Sequence, residues 1–267
     1  MIKLDSSSNA SFLQQIQQKQ DSILEKLSSG KRVNSAADGA AAQQIIDRLT
    51  SQVEGNRQSI SNAYDGISLA QVAEGGLAGI NEDVNRIREL SVQAGNGLLN
   101  DGDRKALQSE VSQLQQNISQ TIKQTEFGGK ALLNGSGSLD FQIGANAGQK
   151  IGVQTNDVAA GLSDILNVDL STAQGAQDAL AAADSAVDYV GNARADLGAT
   201  QNRFESAARN LAQTDINVTE ARSRIQDTDY AQASAELASA SLLSQSSIAV
   251  QSMANQQKGQ VLSLLNG

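Results

Sequence analysis

The stretch that decides the fold runs from Ala183 to Ile225 and reads ADSAVDYVGNARADLGATQNRFESAARNLAQTDINVTEARSRI. Every seventh position holds Ala183, Val190, Leu197, Phe204, Leu211, Val218 or Ile225, and Ala186, Ala193, Thr200, Ala207, Thr214 and Ala221 stand four residues before the last six. Alternating steps of four and three place these side chains on one stripe of a long helix, small ones beside large ones, so that neighbouring helices can approach closely. Left in water, the stripe would be a continuous apolar strip, so the remaining sequence has to supply helices that cover it. At ~1.5 Å per residue it spans roughly 60 Å, which predicts a rod rather than a ball.

Composition agrees with long helices. The chain has 267 residues, enough for a real core, with no proline to break a helix and only 3% aromatic residues. The core must therefore be built from Leu, Ile, Val and Ala. A net charge of -9, without a basic block or an aromatic platform, argues against nucleic-acid binding. No apolar run approaches the ~18 residues of a membrane span. The opening MIKLDSSSNA lacks an apolar h-region, so a secretory signal is not expected, and taken alone this reads as cytoplasmic. Without Cys or His, disulfides, zinc sites and Ser/His or Cys/His nucleophiles are excluded as usually built, and no cofactor is expected.

Along the chain, Phe12, Ile16, Ile23 and Leu27 recur at steps of four and seven, which predicts an amphipathic helix over roughly 6–28, ended at Gly30. A second run, about 41–98, has Ala73, Leu77, Ile80, Val84, Ile87 and Ala94 in register, with bends expected at Gly55, Gly66, Gly75, Gly76 and Gly79. AGNGLLNDGD is turn chemistry in which Asp101 or Asp103 can cap an antiparallel helix to about Gln124. GGKALLNGSGS reads as a loop, and alternation around Leu139, Phe141, Ile143, Ile151 and Val153 predicts a β-hairpin near 139–155. After residues 156–172, a loop with a short turn, the long stripe runs to Asp227 and its register then fails. A new stripe of Leu243, Val250, Ala254, Val261 and Leu265, with Leu264 beside it, lies in a segment whose only charges after Ala231 are Glu236 and Lys258. A terminal helix so poor in charge is expected to be covered in the working state.

The fold class is therefore mainly α, a long antiparallel helical rod or coiled coil with a small β-hairpin. Residues 1–43 and 228–267 are expected to pair as an inner coiled coil, and 44–227 to form the rod. The rod seam is Val190, Leu197, Phe204, Leu211, Val218 and Ile225.

At this point the runs LSSGKRVNSAADGAAAQQI, YDGISLAQVAEGGLAGI, RIRELSVQAGNG and QTEFGGKALLNG resemble bacterial flagellin. So do DLGATQNRFESAARNL, ARSRIQDTDYA and QSMANQQKGQVLSLLNG, in the family's order over nearly the whole chain. The resemblance implies polymerisation into the flagellar filament for swimming and export through the flagellar type III channel without a cleaved signal, hence an extracellular location. It also implies partners: other copies of the chain, an export chaperone at the C-terminal helix, hook-associated and cap proteins, and the flagellin-sensing Toll-like receptor of animals. By resemblance, Arg86, Leu90 and Gln93, with Glu110 on the next helix, fall on receptor-contact positions, and an arginine near an exposed leucine would make a hot spot. The chain departs from larger flagellins in having only residues 156–172 where variable outer domains are inserted, so it resembles a short form. QQKGQ has Lys-Gly where relatives often carry Pro.

The set expected to serve polymerisation is Phe12, Ile16, Ile23, Leu27, Leu243, Val250, Ala254, Val261, Leu264 and Leu265, against the plainer reading of intramolecular core. Asp47, Glu54, Asp83 and Glu89 are scattered carboxylates that read as solvated faces rather than catalysts, so no enzyme is expected. The competing readings are a hook-filament junction protein, similar to flagellin at its ends, and a monomeric helical binding module.

Overall fold

A computed structural model describes the backbone of residues 6–265 and the side chains of residues 11–257, 259 and 260. In chain order the elements are α1 (Ser6–Ser29), α2 (Ala36–Ala94), α3 (Asp101–Gln124), β1 (Glu126–Phe127), β2 (Lys130–Ala131), β3 (Gly137–Gln142), β4 (Lys150–Thr155), α4 (Val158–Gly161), α5 (Ser163–Leu166), α6 (Ala173–Gln226) and α7 (Tyr230–Leu265). The fold is mainly α with small antiparallel strand pairs, as expected. The chain divides into two compact units, residues 54–215 and residues 1–53 with 216–267. The boundaries expected at 43/44 and 227/228 fall inside the second of these.

In the 54–215 unit, α2 runs antiparallel to both α3 and α6. The direction is fixed by cross-helix bonds: Arg86 to Glu110 and Asn117 to Asp83 between α2 and α3, and Arg57 to Asp215, Gln201 to Glu74 and Arg88 to Asp184 between α2 and α6. Ala73, Leu77, Ile80, Val84, Ile87, Leu90 and Ala94 of α2 join Val111, Ile118 and Ile122 of α3 in one core. The face that α6 turns into that core is a row at three- and four-residue steps, Ala176, Ala179, Ala183, Ala186, Val190, Ala193 and Leu197. Mostly methyl groups on one helix and branched side chains on the others let the backbones approach closely. The seam residues Val190, Leu197 and Phe204 are buried, whereas Leu211, Val218 and Ile225 are only half-buried and Thr214 and Ala221 are exposed. The stripe is continuous in sequence, but its cover stops near Ala208.

None of the glycines at which bends in α2 are expected has non-helical dihedral angles. The one residue of α2 that does is Gly39. Two of the internal glycines are instead points of close approach. A Cβ at Gly66 would lie 2.5 Å from the Phe204 ring, and one at Gly76 would lie 2.6 Å from the Thr125 hydroxyl oxygen. Phe204 is also met edge-on by Phe141 of β3, with ring centroids 5.5 Å apart at 88°.

The hairpin appears where alternation placed it, β3 pairing β4 from Gly137↔Thr155 to Gln142↔Lys150. A second, smaller hairpin, β1 with β2, lies within the stretch read as a loop. Gly128 and Gly129 both have positive φ, which is the demand of a two-residue turn that matches strand twist. Residues 156–172 are partly ordered as α4 and α5, held to α3 by Gln108 and Gln115, whose amides reach Val168, Leu170 and Ile165 backbone groups.

The turn between α2 and α3 is closed by a capping box on Asn100, not on an aspartate as its N-cap. Asn100 Oδ1 accepts from the Asp103 N–H and Asp103 Oδ2 from the Asn100 N–H. Behind it, the buried Arg104 guanidinium donates to the carbonyls of Ala94, Asn96 and Leu99 at the end of α2. A cation there satisfies carbonyls that lack helical partners and sits at the negative end of the helix.

Candidate functional site

In the unit formed by residues 1–53 and 216–267, α1 and α7 pair antiparallel. Their connections are preformed. Gly30, at φ 68°, ends α1 in the left-handed conformation that favours glycine. Arg32 donates from its backbone to Gln226 O at 2.6 Å and from Nη2 to Ile225 O at 2.7 Å, while Thr228 N–H reaches Gly30 O at 3.0 Å. Asp38 caps the start of α2: its Oδ2 accepts from the backbone N–H groups of Asn34 and Ser35, which hold the carboxyl below its ordinary value. Asp229 Oδ1 accepts from the N–H groups of Ala231 and Gln232 and caps α7.

Between these anchors the packing is one-sided. Ile16 and Ile23 of α1 are buried, and the row that α7 buries is small: Ala233 and Ala240, continued by half-buried Ser247 and Ala254. Among the described large apolar residues of α7, Leu237 is half-buried and the others are exposed. Leu243 and Val250 are 47% and 48% exposed, and Leu242, Ile248 and Met253 are also in water. Leu243, Val250 and Ala254 lie within about 40° of one another around α7, on the flank of the small row: Ala254 is half-buried, while Leu243 and Val250 stay about half exposed because alanines and serines let α7 lie close to α1. On α1, Phe12 is exposed and Leu27 half-buried. In the groove lined by Leu13, Ile248 and Gln251, the Gln251 Oε1 atom is buried without a hydrogen-bond partner. The side chains of Val261, Leu264 and Leu265 lie outside the described residues.

The other candidate cluster lies in the 54–215 unit. Arg86 donates to Glu110 Oε1 from Nη2 at 2.6 Å and from Nε at 2.9 Å, and to Glu89 Oε2 at 3.0 Å. Glu110 and then Glu89 raise the Arg86 pKa further. Gln93 is exposed on the same helix. Leu90 is not: at 1% exposure it belongs to the core, three residues after Ile87 and four before Ala94 in the buried row. The exposed leucine expected beside Arg86 is therefore absent, and the cluster is polar. Among the carboxylates, Asp83 has a pKa raised by partial burial while Asn117 Nδ2 donates to it at 2.7 Å. Among the described residues no group of acidic side chains has the arrangement of a metal site, and no helix is long and apolar enough to cross a membrane.

Sequence reasoning missed Arg104 and the Gly66–Phe204 contact. The comparisons with known proteins agree with the helical pattern at both ends. Residues 3–138 match the bacterial flagellin N-terminal helical region and residues 180–265 the bacterial flagellin C-terminal helical region. The chain is 38% identical to a flagellin of Bacillus subtilis and 35% identical to a flagellar filament 30.7 kDa core protein of Treponema maltophilum, covering 91% of this chain and 91% of each relative. Among solved structures, it resembles a Bacillus cereus flagellin with a TM-score of 0.53 at 24% identity, over 57% of this chain and 88% of that one. A protein of Vibrio parahaemolyticus assigned to the flagellar hook-associated proteins matches with a TM-score of 0.59 at 15% identity, over 71% and 100%, which shows a shared fold. Two family regions covering most of the chain, with full-length relatives at this identity, make it a member of the bacterial flagellin family, a structural protein of the flagellar filament and not an enzyme.

Proposed function

We propose that the outward face of the α1/α7 pair is the surface through which copies of this chain polymerise. One observation supports this above others: α7 turns its small residues to α1 and leaves Leu242, Leu243, Ile248, Val250 and Met253 in water. Large apolar side chains exposed along a helix whose only charges are Glu236 and Lys258 mark an interaction surface. Phe12 of α1 adds to it. Before assembly the same face is what an export chaperone would cover, and at the filament ends it is what hook-associated and cap proteins would meet. Deleting residues 232–267 is expected to leave a folded monomer that forms no filaments. Normal filaments of that truncation in electron microscopy would refute the assignment. Val250→Asp tests the same face within the full chain.

The Arg86, Glu89 and Glu110 cluster, with Gln93, supports a second reading, recognition of the monomer by the flagellin-sensing Toll-like receptor. With Leu90 buried, the contact would be made by the charged fork and not by an apolar anchor. Arg86→Ala monomer is expected to stimulate receptor-bearing cells less than wild type, and equal stimulation would refute it.

A further inference from the structure

A cavity of about 430 Å³ opens on the 54–215 unit between α2, β4 and α6. Leu77, Leu133, Val153 and Leu197 form its apolar floor and walls, and Asp196 and Arg203 of α6 stand on its rim. Neither rim charge has a hydrogen-bond or ion-pair partner among the described residues.

The same unit carries a side chain of matching character. Leu98, in the turn between α2 and α3, is 93% exposed. The turn holds it there: Asn96 Oδ1 accepts from the Leu98 N–H at 3.1 Å, Asn96 O accepts from the Leu99 N–H at 3.2 Å, and Arg104 fixes the carbonyls behind. A leucine fixed outward by a capped turn is a preorganised plug, whose docking sacrifices little conformational freedom. Asp101 and Lys105 follow it as the first and fifth residues of α3, one helical turn apart, and their side chains have no partner among the described residues. Plug and cavity cannot meet within one molecule. From Leu77 to Ala94 at the end of α2 the helix rises roughly 26 Å, at ~1.5 Å per residue.

We propose that Leu98 of one copy seats in this cavity of a second copy, with Asp101 facing Arg203 and Lys105 facing Asp196. The charges are complementary as two pairs, one of each sign on each surface. Because plug and cavity are different patches, the contact is heterologous. Each copy added leaves a free plug at one end and a free cavity at the other, which extends an assembly instead of closing a dimer. The inference rests on polymerisation as proposed above and adds a second contact, outside the α1/α7 face.

The chain has no cysteine, so a disulfide can be placed cleanly. Asn156 lies on the cavity mouth and is exposed. Filaments of the Leu98→Cys/Asn156→Cys variant are expected to give, on oxidation, a ladder of covalent multimers beyond the dimer, which neither single variant gives. Leu98→Asp is expected to raise the critical concentration for polymerisation at least tenfold with the unfolding curve of the monomer unchanged. Filaments of the double-cysteine variant that form normally but give no ladder, together with an unchanged critical concentration for Leu98→Asp, overturn the plug and leave the α1/α7 reading standing. Wild-type protein that never polymerises removes both.

Discussion

The two units use the same seven-residue arithmetic to opposite ends. In the 54–215 unit, α2, α3, α6 and the hairpin enclose their large side chains, and Phe204, Leu77, Ile80 and Leu90 are essentially sealed from water. In the unit of residues 1–53 and 216–267, α7 buries alanines and presents leucine, isoleucine, valine and methionine to solvent. The first unit seals most of its large side chains within one chain, whereas the second spends its large side chains on a surface. A heptad repeat therefore says that a helix has a stripe, and the size of the residues on the inner row says whether that stripe is finished at home.

The contrast can be broken by mutation. Phe204→Ala should cost the monomer about 3–5 kcal/mol in denaturant unfolding, since it empties a sealed ring site; a loss under about 1 kcal/mol would mean that the first unit is not closed. Gly66→Ala should cost about 1–3 kcal/mol, because the added Cβ meets the Phe204 ring. Arg104→Met should cost a similar or smaller amount, about 1–3 kcal/mol, by leaving the Ala94, Asn96 and Leu99 carbonyls without their donor. In the second unit, Val250→Ser should change monomer stability by no more than about 0.5 kcal/mol and yet raise the critical concentration for filament growth, measured by sedimentation.

The smallest effect concerns pH. Asp38 has a carboxyl held below the ordinary value of 3.8 by the Ser35 and Asn34 N–H groups. A group with a depressed folded pKa contributes stability that is present above the unfolded value and is lost as pH falls through the folded value. Amide exchange at Asn34 and Ser35 should therefore speed up as pH drops below 3.8, beyond the intrinsic trend, and Asp38→Asn should abolish that step.

Much of this was legible in the sequence. The α6 stripe, both terminal helices, the capped turn before α3 and the hairpin follow from spacing and turn residues alone. Leu90 was legible too: it stands in the buried repeat between Ile87 and Ala94, and its burial overrides the motif that placed it on a surface. What spacing could not reveal are contacts between residues far apart in the chain. Gly66 looks like a weak point in α2 until Phe204 is seen against it. Arg104 looks like one more surface cation until its carbonyl partners ten, eight and five residues earlier are known. The outward turn of Leu243 and Val250 depends on which row α1 selects, and the seven-residue period is the same for either row.

The Gly66 and Phe204 contact also constrains how the two positions can change. A missing carbon on one helix is occupied by a ring from the other, so neither site can drift alone. A methyl at 66 becomes tolerable only when the side chain at 204 shrinks, and the paired variant Gly66→Ala/Phe204→Leu should recover part of what either substitution loses separately. Across natural sequences, size at one position should anticorrelate with size at the other.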